Sequence, residues 1–293
     1  MIKELEYEVA HDLDEALALA ATLGERKRVV AGGTDVVVRL KEGLIREDVL
    51  LDISGVEALR GIREENGWVH VGALVTHDEL ALSPVIQQSA PVLAAAARTV
   101  GGPQIRHRGT IGGNAANASP AGDTLPALVV LDALAILGSV SGQREVPVLD
   151  FWTGPGRSVC RPDELVTGFR FPRMGVDDVA GFRKLGSRRA MTIATANVAV
   201  FFRLGKGGRI THARIASGSV APTVVRLSKT EELFRQLLPV LSLAAVRGAA
   251  QMAWKEVAPI DDLRATALYR KEAVVGLLTE TAYEVLRGRW HEG

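Results

Sequence analysis

The sequence predicts an α+β protein built from three units, on three observations. Residues 1–55 read as a small β-α-β unit. Residues 56–173 mix strand-like alternation with an alanine-rich helical stretch. Residues 178–293 open with strand-like apolar segments and close in helical periodicity. At 293 residues the chain is long enough for two or three compact units.

In the first unit, Asp12 is an N-cap and Glu15 is the capping-box acid three residues on. Apolar residues 13, 16, 17, 20 and 23 follow at helical period, and Gly24 stops the helix. Arg28-Val29-Val30 is a short strand running into Ala31-Gly32-Gly33-Thr34-Asp35, and Val36 to Leu40 opens a helix behind it. Val49 to Ile53 is the next strand. In the second unit, Trp68 to Ala73 alternates as a strand, and Pro91 to Val100 is the alanine-rich helix. Leu128 to Leu137 is an apolar, buried run, Ser139 to Gln143 a turn, and Glu164 to Phe171 a strand ending at Pro172. Residues 173–178 read as a linker. In the third unit, Asn197 to Leu204 and Arg209 to Ala216 are strands around Gly205-Lys206-Gly207-Gly208. That tetrapeptide lacks Walker spacing and reads as a hairpin, not a phosphate loop. Helical patterns cover 228–238, 242–256 and 262–288, with Leu277, Leu278, Tyr283 and Leu286 mainly in the core.

Composition narrows the function classes. Lys+Arg 35 against Asp+Glu 34 leaves +1, with no basic excess for nucleic acid or a membrane surface. No apolar run reaches the length of a membrane span. The acidic, non-apolar start at Met1 to Glu6 shows no signal core, so a cytoplasmic location is expected. The one cysteine, Cys160, reads as a small half-buried residue before a turn, and it cannot ligate an iron–sulfur cluster. The six histidines are scattered, so no metal site is expected.

Two glycine segments carry the chemistry, Ala31 to Asp35 and Gly109-Thr110-Ile111-Gly112-Gly113-Asn114. Adjacent glycines admit positive φ and close approach of a ligand, and successive N–H groups in such turns form an anion-binding nest. The hydroxyls of Thr34 and Thr110 and the amide of Asn114 can donate to phosphate oxygens. Asp35 and Asp123 repel bare phosphate and suit loop amides, ribose hydroxyls or adenine. A flavin or nicotinamide dinucleotide held from two sides fits this set. The spacing is not that of a Rossmann fingerprint.

Taken in order, these motifs resemble the flavin-binding medium subunit of the molybdenum hydroxylases, which include carbon-monoxide dehydrogenase and bacterial xanthine dehydrogenase. The resemblance runs end to end. It covers AGGTD at 31–35, Leu51-Asp52-Ile53, Val71 to His77, Gln104-Ile105-Arg106 before GTIGGN at 109–114, and ASPAGD at 118–123. It continues through Phe182-Arg183-Lys184, Arg188, Ala194 to Val200, Gly218 to Thr223, Leu263-Arg264 and Tyr269-Arg270.

The resemblance implies a two-part FAD-binding domain of the vanillyl-alcohol-oxidase-like (PCMH) type, followed by a C-terminal α+β domain. It implies FAD bound non-covalently, with its diphosphate between Ala31–Asp35 and Thr110–Asn114. It places Val100 on the cofactor side and Asp123 at the adenosine half. Val166 and Lys184 approach the isoalloxazine ring, with Ile193 over it. From the residues alone, Val166 and Ile193 are ordinary core positions and Lys184 a solvated charge. Thr192 stands where many relatives carry Asp, and His107 is not expected to be catalytic. No residue is assigned as catalytic.

The implied function is electron relay. Electrons from a molybdopterin-bearing large subunit cross [2Fe–2S] clusters of a small subunit, reach FAD here and pass to NAD, quinone or oxygen. The implied assembly is a dimer of heterotrimers. A stand-alone FAD oxidase or reductase and a flavin-free scaffold remain alternatives.

Overall fold

The computed structural model describes residues 4–188 and 191–292. The Asp12 carboxylate accepts the Glu15 N–H at 2.8 Å and starts α1 (Leu13–Leu23), which Gly24 ends at φ 54°. Glu15 Oε2 accepts the His11 N–H at 2.8 Å, so the reciprocal bond of the expected box falls one residue early. A parallel sheet in the order β1-β3-β2 carries this unit, with β1 at Glu6–Val9, β2 at Lys27–Val30 and β3 at Val49–Asp52. All four side chains of β1 are exposed, which is why no burial pattern announces it; pairing with β3 holds it. The short helix α2 (Val36–Lys41) buries none of its residues.

The second unit is an antiparallel sheet in the order β4-β5-β10-β6-β7. β4 (Ile62–Glu65) and β5 (Trp68–Gly72) meet across Asn66 and Gly67, both at positive φ, the conformation a two-residue hairpin turn demands. Six helices follow: α3 (His77–Leu82), α4 (Pro84–Ser89), α5 (Pro91–Arg98), α6 (Pro103–Arg106), α7 (Ile111–Ala116) and α8 (Thr124–Val130). Next come β6 (Leu134–Ser139), β7 (Gly142–Pro147), α9 (Val148–Phe151), the small pair β8 (Trp152–Gly154) and β9 (Arg157–Ser158), and β10 (Leu165–Pro172). The apolar run 128–137 thus splits into the end of α8 and the start of β6. Both are buried, and periodicity does not separate a buried helix end from a buried strand.

The third unit is the antiparallel sheet β11 (Asp178–Leu185), β12 (Ala196–Leu204), β13 (Ile210–Gly218) and β14 (Val225–Arg226), in that order. Gly205–Gly208 is the β12–β13 hairpin, closed by a 2.8 Å bond from Gly205 N–H to the Arg209 carbonyl. Behind it lie α10 (Ser228–Gln236), β15 (Val240–Leu241), α11 (Leu243–Ala250), α12 (Ala253–Glu256), α13 (Ala267–Arg287) and β16 (His291–Glu292). The helix expected over 242–256 breaks between α11 and α12, and α13 starts at 267 because Thr266 caps it.

β12 is buried on both faces. Ala199 and Phe201 join the core of the second unit, while Val198, Val200 and Phe202 join the core beneath α10 to α13. This two-sided burial is what its unbroken apolar sequence encodes. A separate, smaller core of Ala16, Ala20, Val49 and Leu51 fills the first unit.

Candidate cofactor site

β2 delivers the first glycine segment into a gap between the first two units. Gly33 takes φ 73°, and its carbonyl accepts the Val37 N–H at 3.0 Å, fixing the turn into α2. Among the described residues, the N–H groups of Ala31 to Asp35 donate to no group within the chain. A Cβ on Gly32 would collide with the Arg108 carbonyl oxygen, so glycine there allows the two segments to touch.

The second segment is built differently. Thr110 is the N-cap of α7, and its Oγ1 accepts the Gly113 N–H at 3.1 Å. Ile111 N–H donates to the Val75 carbonyl at 3.0 Å, Gly112 N–H to Ala73 at 2.9 Å, and Asn114 N–H to Thr110 at 2.9 Å. The expected amide nest is absent here, because all four of these donors are spent on the fold. Gly112 is needed for close packing: a Cβ would lie 2.6 Å from the Ala73 Cβ. What remains for a ligand, among the described residues, is the Thr110 N–H and O–H and the Asn114 side-chain amide. Asn114 Oδ1 accepts the Thr124 hydroxyl at 2.8 Å, which leaves its Nδ2 donors free.

A cavity of about 440 Å³ lies between the segments. Of the residues singled out in the sequence, Ala31, Gly32, Gly33, Thr34, Asp35, Val100, Thr110, Gly112, Gly113, Asn114 and Val166 line it. Four do not. Ile111 is fully buried in the core of the second unit. Ile193 is 63 % exposed, neither a core residue nor part of the cavity wall. Asp123 and Lys184 pair with each other, Oδ2 to Nζ, at 2.5 Å.

That pair corrects one expectation and bears on another. Lys184 is not a solvated charge: its side chain is 8 % exposed, and Nζ also donates to the Thr99 carbonyl at 3.0 Å. The resemblance assigns Asp123 and Lys184 to opposite halves of a dinucleotide; the structure puts the two groups in direct contact with each other. Asn197 Nδ2 donates to the other Asp123 oxygen at 3.1 Å. Burial still pushes the Asp123 carboxyl above its ordinary value, against the pull of Lys184 and Asn197.

Three of the further residues that line the cavity bear on its chemistry. Lys27 donates from Nζ to the carbonyls of Ala20, Gly24 and Pro162, and burial lowers its pKa. Cys160 is half-buried, and burial pushes its thiol up to about 11, so it stays protonated and a poor nucleophile. His77 is the third, 2 % exposed at the start of α3. Its burial depends on the Gly109 turn folding over it, which no sequence periodicity shows. His107, by contrast, is exposed beside Asp78 at 3.2 Å and does not line this cavity.

Comparison with known proteins decides the family. Residues 3–174 match the model of the FAD binding domain in molybdopterin dehydrogenase. Residues 182–285 match the CO dehydrogenase flavoprotein C-terminal domain. The chain belongs to the FAD-binding subunits of the molybdenum hydroxylase family. The carbon monoxide dehydrogenase medium chain of Hydrogenophaga pseudoflava is 34% identical over 277 residues, covering 94% of this chain and 95% of that one. The glyceraldehyde dehydrogenase medium chain of Sulfolobus acidocaldarius is 32% identical, covering 96% and 98%. A solved carbon monoxide dehydrogenase from Hydrogenophaga pseudoflava, in a form lacking the Mo-pyranopterin moiety, superposes with a TM-score of 0.92 at 31% identity over 99% of both chains.

The chain is therefore an oxidoreductase flavoprotein subunit with the α+β fold of that family. The donor set agrees with the cofactor. Unpaired amides of one segment and hydroxyl and amide side chains of the other converge on one cavity. Such donors suit a diphosphate.

Proposed function

We propose that this chain is the electron-relay subunit of a molybdenum hydroxylase complex, with FAD held in the cavity between the two glycine segments. The observation that carries this is the row of unpaired N–H groups from Ala31 to Asp35, facing Thr110 and Asn114 in a member of the FAD-binding family. FAD, when bound, supplies exchange between two-electron and one-electron steps. The protein's own part is binding and orientation. Ala31 to Asp35 donate main-chain N–H groups to the diphosphate, and Thr34, Thr110 and Asn114 donate side-chain hydrogens. Val100 and Val166 supply apolar wall. The buried Asp123–Lys184 pair braces the region behind Val100, through the Thr99 carbonyl.

In this reading, electrons arrive from [2Fe–2S] clusters of a small partner subunit and leave to an external acceptor such as NAD, quinone or oxygen. A single cysteine cannot hold a cluster on this chain. Substrate chemistry belongs to a large molybdopterin subunit, and the assembly is a dimer of heterotrimers in the cytoplasm. Tagged purification from the native host, with metal and flavin analysis, tests this. Recovery with iron, molybdenum and one FAD per chain is expected. Recovery alone, reducing its flavin directly with substrate, would replace it with a stand-alone oxidase or reductase.

A further inference from the structure

His77 lines the cavity with both ring nitrogens unaccounted for. Nδ1 is fully buried without a partner, and among the described residues no group in the chain bonds to Nε2. Nε2 is not sealed as Nδ1 is, so it is the nitrogen a ligand in the cavity can reach. The residue itself is firmly placed. Its N–H donates to the Gly109 carbonyl at 3.0 Å. Its Cδ2 lies 3.2 Å from the point a Cβ on Gly109 would occupy, and Thr34 Oγ1 lies 3.4 Å from that same point. The ring edge that carries Cδ2 and Nε2 and the Thr34 hydroxyl therefore flank the same point beside Gly109, one residue from Thr110.

The ring is neutral: burial, and then the nearby Arg106, push its pKa down to about 4. A neutral imidazole holds one N–H. Sealing an unpaired N–H away from any acceptor is worse than sealing a lone pair. The proton therefore belongs on Nε2.

We propose that His77 is a neutral hydrogen-bond donor to the dinucleotide, presenting Nε2–H to an oxygen of its ribityl–diphosphate stretch beside Thr34 and Thr110. The proposal rests on FAD occupying the cavity. A cation at this spot would bind the diphosphate through charge; a neutral donor contributes direction and leaves the flavin's own charge balance untouched.

The test is titration of the flavin-stripped full-length chain with FAD, followed by flavin fluorescence, in wild type, His77→Leu and His77→Gln. His77→Leu is expected to weaken binding about tenfold, the loss of one hydrogen bond, with His77→Gln recovering most of it. Side-chain nitrogen NMR of the wild type, assigned by the signal missing in His77→Gln, is expected to show the Nε2–H tautomer at neutral pH and a shift of Nε2 on adding FAD. Equal FAD affinity in His77→Leu, or an Nδ1–H or doubly protonated ring at neutral pH, overturns the proposal. Wild type that fails to bind FAD at all overturns the cofactor reading of the cavity instead.

Discussion

The two glycine segments look alike in sequence and do opposite work in the fold. In Ala31 to Asp35 the main chain is open: five successive N–H groups have no partner within the chain among the described residues. In Ile111 to Asn114 the main chain is closed, its donors consumed by Ala73, Val75 and Thr110. One segment faces the cavity with backbone, the other chiefly with side chains on a rigid helix start. A pair of glycines thus marks a close approach without saying whether a ligand or the protein itself is approaching.

If the second region is a brace and the first a donor row, substitutions should separate stability from binding. The largest effect is expected for Asp123→Ala, behind the second segment. It leaves the Lys184 ammonium buried without its partner, a loss of about 3–5 kcal/mol in denaturant unfolding. A loss under about 1 kcal/mol would mean that this region is no brace.

Next is acidification, read through His77, whose main chain ties to Gly109. Its folded pKa lies at about 4, below its ordinary value of 6.5. Between those values the unfolded state binds more protons, so stability is full above pH 6.5 and falls as pH drops toward 4. The loss is expected to be about 3 kcal/mol. Unfolding at a series of pH values checks it, and His77→Gln should flatten that part of the slope.

The smallest effects draw the sharpest contrast. Thr110→Val removes the cap on Gly113 and should cost about 1 kcal/mol of stability. Thr34→Val, whose hydroxyl has no partner among the described residues, should change stability by less than about 0.5 kcal/mol while weakening FAD binding several-fold. Thermal melts beside FAD titrations read both. Equal behaviour of the two variants would erase the distinction between the segments.

Much of this was legible locally. The cap at Asp12, the stop at Gly24, the strand into the first segment and the Gly205–Gly208 hairpin follow from short-range rules, and the structure has them in place. The family was legible because several motifs stand in order along the whole chain. What stayed hidden was decided at long range. Whether the amides of Ile111 and Gly112 are free depends on the carbonyls of Val75 and Ala73 just past the end of β5, and no pattern near residue 111 encodes that. Lys184 looked solvated because a lysine usually is, and nothing near residue 184 hints that Asp123 waits opposite. Ile193 looked like core because an aliphatic residue between small neighbours usually is; its loop instead leaves it facing outward.

The Arg108 carbonyl occupying the space of a Gly32 side chain sets more than a local fit. It fixes the gauge of the jaws. A clamp whose halves rest main chain against main chain does not close on its ligand; it is preorganised, and binding need not spend free energy on drawing the halves together. Such a jaw also measures length. A mononucleotide flavin, with one phosphate, would reach one side and leave the other side's donors to water, while a dinucleotide spans both. With FAD placed as proposed, preference for it over shorter flavins is the expected consequence of a single interbackbone contact that only glycine permits, and titration with FAD beside a mononucleotide flavin checks it.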